Sequence, residues 1–144
     1  MKFYWFSFDD TANMDKAFAL RQTVFTDEQG FAPEDDHDEQ DKTALHVLGM
    51  DDAGAVCCTA RLFSTQPNVW HAGRIAVRKD LRGQGVGRQL MQELVCKARA
   101  LGGKTLELGA QIDKQGFYEA VGFAPYGGTF LDAGYPHRMM KREL

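Results

Sequence analysis

One stretch constrains this chain more than any other: Gly73-Arg74-Ile75-Ala76-Val77-Arg78-Lys79-Asp80-Leu81-Arg82-Gly83-Gln84-Gly85-Val86-Gly87-Arg88-Gln89-Leu90-Met91. Its first part reads as the end of a strand over Val69 to Arg78. Beyond the glycines, Val86, Leu90, Leu94 and Ala98 recur at helical spacing, which predicts a helix from Gly85 to Leu101 stopped by Gly102-Gly103. A strand-to-helix turn of this kind points unpaired backbone N–H groups and the positive end of the helix dipole in one direction, which suits a phosphate. Gly83, Gly85 and Gly87 carry no Cβ to keep an anion off the backbone. Arg74, Arg78, Lys79, Arg82 and Arg88 accompany a single acid, Asp80. The expected ligand is a diphosphate.

Charge distribution points to the same half of the chain. The formal net charge is -3, yet residues 1–72 hold 13 acids against 5 bases and residues 73–144 hold 7 against 12. An anion therefore belongs with the second half, and the acidic first half opposes nucleic acid. Nucleotide-triphosphate loops need Gly-Lys-Ser/Thr, which is absent, and Gly83-x-Gly85-x-Gly87 is not the Gly-x-Gly-x-x-Gly of dinucleotide domains. Glu107 lies 20 residues beyond Gly87, about where a ribose-binding acid would stand. Against that, the loop follows three antiparallel-looking strands, and only 57 residues remain after Gly87.

The surrounding pattern is that of one α/β domain. Lys2 to Phe8 reads as a strand. Met14, Ala17, Phe18, Val24 and Phe25 make a helical stripe ending near Glu28-Gln29-Gly30, and Arg21 falls on the same stripe and is expected to point inward. Strands are predicted over Ala44 to Met50, Ala55 to Ser64 and Thr105 to Gly109. A short helix over Lys114 to Val121 precedes two last strands, near Phe123 to Leu131 and His137 to Arg142. The expected order is β-α-β-β-β-α-β-α-β-β, a mixed, mostly antiparallel sheet with flanking helices. At 144 residues and 44% apolar, one domain over 1–144 accounts for the whole chain. No apolar run reaches membrane-spanning length, so a cytoplasmic protein without a membrane partner is expected. Cys57, Cys58 and Cys96 are expected as free thiols in the core.

Taken together, Arg82-x-x-Gly85-x-Gly87, the preceding Arg74-Ile-Ala-Val77 and the following Phe117-Tyr118-Glu-Ala-Val-Gly122-Phe123 resemble the GNAT superfamily of acetyl-CoA-dependent N-acetyltransferases. Leu20-Arg21-x-x-Val24-Phe25-x-x-Glu28-Gln29-Gly30, His46 and Gly134-x-x-His137-x-x-Met140 are further similar to the small bacterial ElaA-like branch. That resemblance implies a single GNAT domain with acetyl-CoA as acetyl donor and no metal. It implies that the backbone of Arg82, Gly83, Gln84, Gly85, Val86, Gly87 and Arg88 holds the pyrophosphate. It also implies that Ile75, Ala76 and Val77 bind the pantetheine arm where their strand splays from Leu106 to Gly109, with a bulge aiming a backbone N–H at the acetyl carbonyl. The reaction implied is transfer to a primary amine by direct attack in a ternary complex. The alternative is a non-catalytic acyl-CoA sensor or interaction domain.

In the same resemblance Tyr118 lies beside the thioester sulfur and protonates the leaving thiolate. Four residues are candidates for the base that deprotonates the amine: His46, Glu28, His137 and His71, in that order. The partner expected is a small-molecule or peptide amine, with a homodimer left open. From Glu34 to Asp41, six of eight residues are acidic, which predicts a mobile loop too charged to pack. Asp36-x-Asp38-x-Gln40 starts like a calcium loop, but position six is Asp41 and position twelve is Val47.

Overall fold

In the computed structural model, which describes residues 1–144, the chain runs β1 (Lys2–Ser7), α1 (Thr11–Arg21), α2 (Pro33–Asp36), β2 (Leu45–Met50), β3 (Val56–Gln66), β4 (Val69–Val77), α3 (Val86–Ala100), β5 (Thr105–Gln111), α4 (Gln115–Ala120), β6 (Ala124–Asp132) and β7 (Tyr135–Glu143). All seven strands join one sheet in the order β1-β2-β3-β4-β5-β7-β6. Only β4 and β5 are parallel, because α3 carries the chain back across the sheet between them. This is the mixed, mostly antiparallel α/β architecture the sequence predicts. Strand ends differ from expectation by a few residues.

Each face of the sheet is covered chiefly by one helix. Leu90, Met91, Leu94, Val95 and Ala98 of α3 pack on Leu62, Ala72, Leu106 and Leu108. Leu90 and Leu94 are wholly buried, each contributing about 1.5–3 kcal/mol. On the other face Met14 and Ala17 of α1 meet Phe6 and Leu48, while Leu20 and Val24 meet Ala76. The stripe predicted for the first helix is present, but beyond Arg21 it continues to Glu28 in wider π-type turns, ending at Gly30 with φ +78°. A π turn adds a residue to each repeat and so re-aims the side chains that follow it. Cys57 and Cys58 are buried as expected; Cys96 is exposed on α3, which corrects its assignment to the core.

Candidate active site

Strands β4 and β5 pair only at Val69↔Thr105, Trp70↔Leu106 and His71↔Glu107. Past His71 they separate, so the edge of Gly73–Val77 toward β5 has no strand beside it. The same stretch is distorted on its other side. Register with β3 shifts between Thr59↔Ala76 and Arg61↔Gly73, and Arg74 takes φ +49°, the signature of a bulge. The opened V forms a cleft of about 390 Å³ whose lining includes Gly73, Ile75, Val77, Gly109, Tyr118 and Arg82.

Below the cleft the chain turns through Lys79–Leu81 into the glycine stretch. Gly83 and Gly85 have φ +77° and +84°, conformations open to glycine at little cost. A Cβ added at either would meet nothing within 4 Å. The backbone N–H groups from Gly83 through Arg88 make no hydrogen bond within the protein, and they converge at the N-terminus of α3. Gly87 serves packing instead, because a Cβ there would come within 3.2 Å of the Phe117 ring. Lys79 and Arg88 are exposed and pair with no acid, whereas Arg78 holds Asp80 at 2.7 Å. Arg82 bonds Glu28 at 2.8 Å and the Val77 carbonyl at 2.9 Å.

Arg74 points away from the glycines. Its guanidinium donates to the carbonyls of Asp36 and Asp35 and to Asp38, contacts that offset the cost of its left-handed backbone. This is part of a larger arrangement that overturns the reading of residues 34–41 as too charged to pack. Arg21 binds both Asp36 and Asp41; Arg61 binds Asp38 and Asp41. Arg21, Asp36 and Asp41 are at most 4% exposed. Three arginines against three carboxylates neutralise one another, and that mutual pairing is what allows the acidic segment to be buried. The guanidinium partners hold Asp38 and Asp41 below the usual carboxylate range, against the opposing effect of burial.

The candidate catalytic residues separate into two groups. Tyr118, His71 and His137 line the cleft; His46 and Glu28 do not. His46 is buried beneath the arginine network, where its Nε2 donates to the Asp41 carbonyl at 2.9 Å, and burial lowers its pKa. Glu28 is engaged with Arg82. The Tyr118 hydroxyl has no protein partner, and burial pushes its pKa up to about 12, so it stays protonated at neutral pH. His137 donates from Nδ1 to the Tyr135 carbonyl at 2.8 Å, leaving Nε2 with a free lone pair. His71 places Nδ1 3.7 Å from Glu107 and stacks on Phe63; burial lowers its pKa, while Glu107 opposes that shift.

The family model for the acetyltransferase (GNAT) domain matches residues 23–144. The chain belongs to the GNAT acetyltransferase family. The ElaA protein of Escherichia coli is 35% identical over 130 residues, spanning 87% of this chain and 84% of that protein. The crystal structure of E. coli ElaA superposes with a TM-score of 0.86 at 30% identity, covering 99% of both chains. An acyl-CoA N-acyltransferase from Pseudomonas aeruginosa matches with a TM-score of 0.84 at 25% identity over 98% of each chain.

As a GNAT domain the chain has the fold's acyl-CoA cleft, and its residues fit such a ligand. The bare N–H groups of Gly83–Arg88 suit a pyrophosphate, and the unpaired edge of β4 suits the amides of a pantetheine arm. None of the three cysteines lines the cleft, and burial pushes the Cys58 thiol up to about 12. In this GNAT site sequence reasoning missed Arg61, and it weighed Glu107 only as a ribose-binding acid. Neither belongs to a local motif. Strand register brings Arg61 to the cleft opposite Gly73 and sets Glu107 beside the cleft residue His71.

Proposed function

We propose that this chain is an N-acetyltransferase moving the acetyl group of acetyl-CoA to a primary amine by direct attack while both substrates are bound. The observation that carries the reading is the separation of β4 from β5 past His71↔Glu107. It opens one continuous cleft, lined by Arg82, at the edge of the glycine turn, and by Tyr118 and His71. Residues Gly83–Arg88 hold the pyrophosphate through backbone N–H groups, with Lys79 and Arg88 adding positive charge. Ile75–Val77 hold the pantetheine arm along the strand edge.

Acetyl-CoA supplies an acetyl group activated as a thioester. His71 takes the proton that the amine must lose. With Glu107 beside Nδ1, the neutral imidazole keeps its hydrogen there and offers a lone pair at Nε2, and the imidazolium formed on proton uptake faces a carboxylate. Tyr118 holds the proton that restores the leaving sulfur to a thiol. With no other partner, its O–H is free to point at that atom. The bulged backbone at Arg74-Ile75 aims an N–H into the cleft, where it can stabilise charge on the acetyl oxygen.

Initial rates of CoA release with acetyl-CoA and amine varied together test this reading. Intersecting double-reciprocal lines are expected. Parallel lines would mean an acetylated enzyme and overturn direct attack, and CoA release that ignores the amine would overturn acetyl transfer.

A further inference from the structure

Two nitrogen atoms converge at Gly73 without a partner in the fold. Arg61 uses Nη1 and Nη2 on Asp38 and Asp41, but its Nε–H has no acceptor although the residue is only 5% exposed. His71 directs Nδ1 toward Glu107, so Nε2 remains free. Glu107 is itself fixed by the Tyr126 hydroxyl at 2.9 Å. A methyl group placed on Gly73 would stand 3.7 Å from Arg61 Nε and 3.9 and 4.0 Å from Cδ2 and Nε2 of His71, all at ordinary contact distance. Arg61, His71 and Gly73 all line the cleft. The glycine thus leaves a small space beside one buried N–H donor and one imidazole acceptor. A buried donor without an acceptor is costly, and native folds rarely leave one unless something else fills the place.

The charge around this space selects the filler. Asp38 and Asp41 already balance the positive charge of Arg61, and the other acids lining the cleft, Asp35, Asp36 and Asp132, are matched in number by Arg74, Arg82 and Lys114. What remains at Nε is a hydrogen-bond donor without spare positive charge. It suits a neutral carbonyl oxygen, which accepts the hydrogen bond without adding a charge to groups that already balance one another. We infer that this space is an acceptor subsite for an α-amino amide, the unit found at a peptide's N-terminus. The amine donates to His71 Nε2 and the carbonyl oxygen one carbon away accepts from Arg61 Nε–H. The fate of the amine rests on the N-acetyltransferase reading; its recognition does not. In the transfer, the nitrogen–acetyl bond forms as the carbon–sulfur bond breaks, His71 Nε2 takes the amine's proton, and the sulfur receives one from Tyr118.

Glycinamide, glycine and n-propylamine are the probes, titrated into the wild-type chain and two variants with binding followed by protein NMR. R61K keeps a cation facing Asp38 and Asp41 but has no Nε–H. G73A fills the space with a methyl group at a backbone position that tolerates one, and it stands in should R61K fail to fold. Wild type is expected to bind glycinamide at least tenfold more tightly than either other probe. Each variant should bring the glycinamide-to-propylamine ratio to within threefold of one. Equal binding of glycinamide and propylamine by wild type, preference for glycine, or a ratio unmoved in the folded variants would overturn the inference. Selective glycinamide binding that both variants abolish, with no acetyl transfer to any probe, would support the subsite and refute the N-acetyltransferase reading alone.

Discussion

From Gly83 to Arg88 the backbone is bare: its N–H groups lack partners and two of its glycines face open space. Around Arg61 the reverse holds, with Arg21, Arg61 and Arg74 tied to Asp36, Asp38 and Asp41, most of them out of reach of water. Both regions are rich in arginine and both border the cleft. The difference lies in where the charge is spent. Arginines of the network neutralise carboxylates that would otherwise keep residues 34–41 off the sheet. At the glycine turn Lys79 and Arg88 are unspent and the backbone itself supplies donors. One region is built to hold the chain together, the other to hold something else. A change in the first should therefore read out as stability and a change in the second as ligand affinity.

The sharpest way to break that contrast is Asp41→Ala. It leaves Arg21 and Arg61 without one of their buried carboxylates, so a loss of about 3–5 kcal/mol of folding free energy is expected, a large part of the typical 5–15 for a domain. Denaturant unfolding checks it; a loss under about 1 kcal/mol would mean that the network does not carry the fold. Tyr118 belongs to neither region and should affect turnover alone. Tyr118→Phe is expected to lower kcat by roughly 10²-fold with acetyl-CoA affinity unchanged, and an unchanged kcat with chemistry rate-limiting would reduce Tyr118 to packing.

Gly85→Val tests the other side of the contrast. It places a branched side chain where an anion must approach and strains a backbone at φ +84°. Acetyl-CoA binding should weaken at least tenfold while the domain stays folded at a stability cost of about 1–2 kcal/mol; wild-type affinity by calorimetry would contradict the phosphate assignment. Acid should act on the network before the glycine turn. His46 and His71 have lowered pKa values through burial, so their contribution to stability is complete above the ordinary histidine value near 6.5 and is lost as pH falls below it. Asp38 and Asp41, also lowered, contribute above about pH 3.9 and lose that contribution in stronger acid. Melting temperature should thus fall in two steps with decreasing pH; a rise below pH 6 would contradict the assignment. The smallest effect belongs to Glu34, Asp35 and Glu39, which are exposed and, apart from a surface contact between Glu39 and Lys42, free of ion pairs. Their amides should raise KM for a cationic amine a few-fold and flatten its salt dependence, leaving KM for acetyl-CoA within about twofold.

What sequence could show divides along the same line. The glycine turn is a local feature, and spacing alone places Gly83 and Gly85 at a strand-to-helix junction. The stripe through Arg21 is local too, and it points that arginine inward. The network needed information that spacing lacks: Asp36 and Asp41 reach Arg21 across 15 and 20 residues, and Arg74 meets Asp36 across 38. Counting charges over residues 34–41 without partners made the segment look solvated. His46 enters as a candidate base through the family resemblance, which does not reveal that the Asp41 carbonyl, five residues away, holds its Nε2. Tyr118 and the departure of β4 from β5 followed from the family resemblance, whereas Arg61 and the placement of Glu107 beside His71 emerged only from strand register.

The division of labour between the two regions is tested most directly by following backbone amide resonances as acetyl-CoA is titrated into the labelled chain. The largest shifts are expected at Gly83–Arg88 and at Ile75–Val77, with the amides of Arg21, Asp41 and Arg61 nearly still. Shifts centred on Arg21, Asp41 and Arg61, with the glycine turn unmoved, would contradict the account.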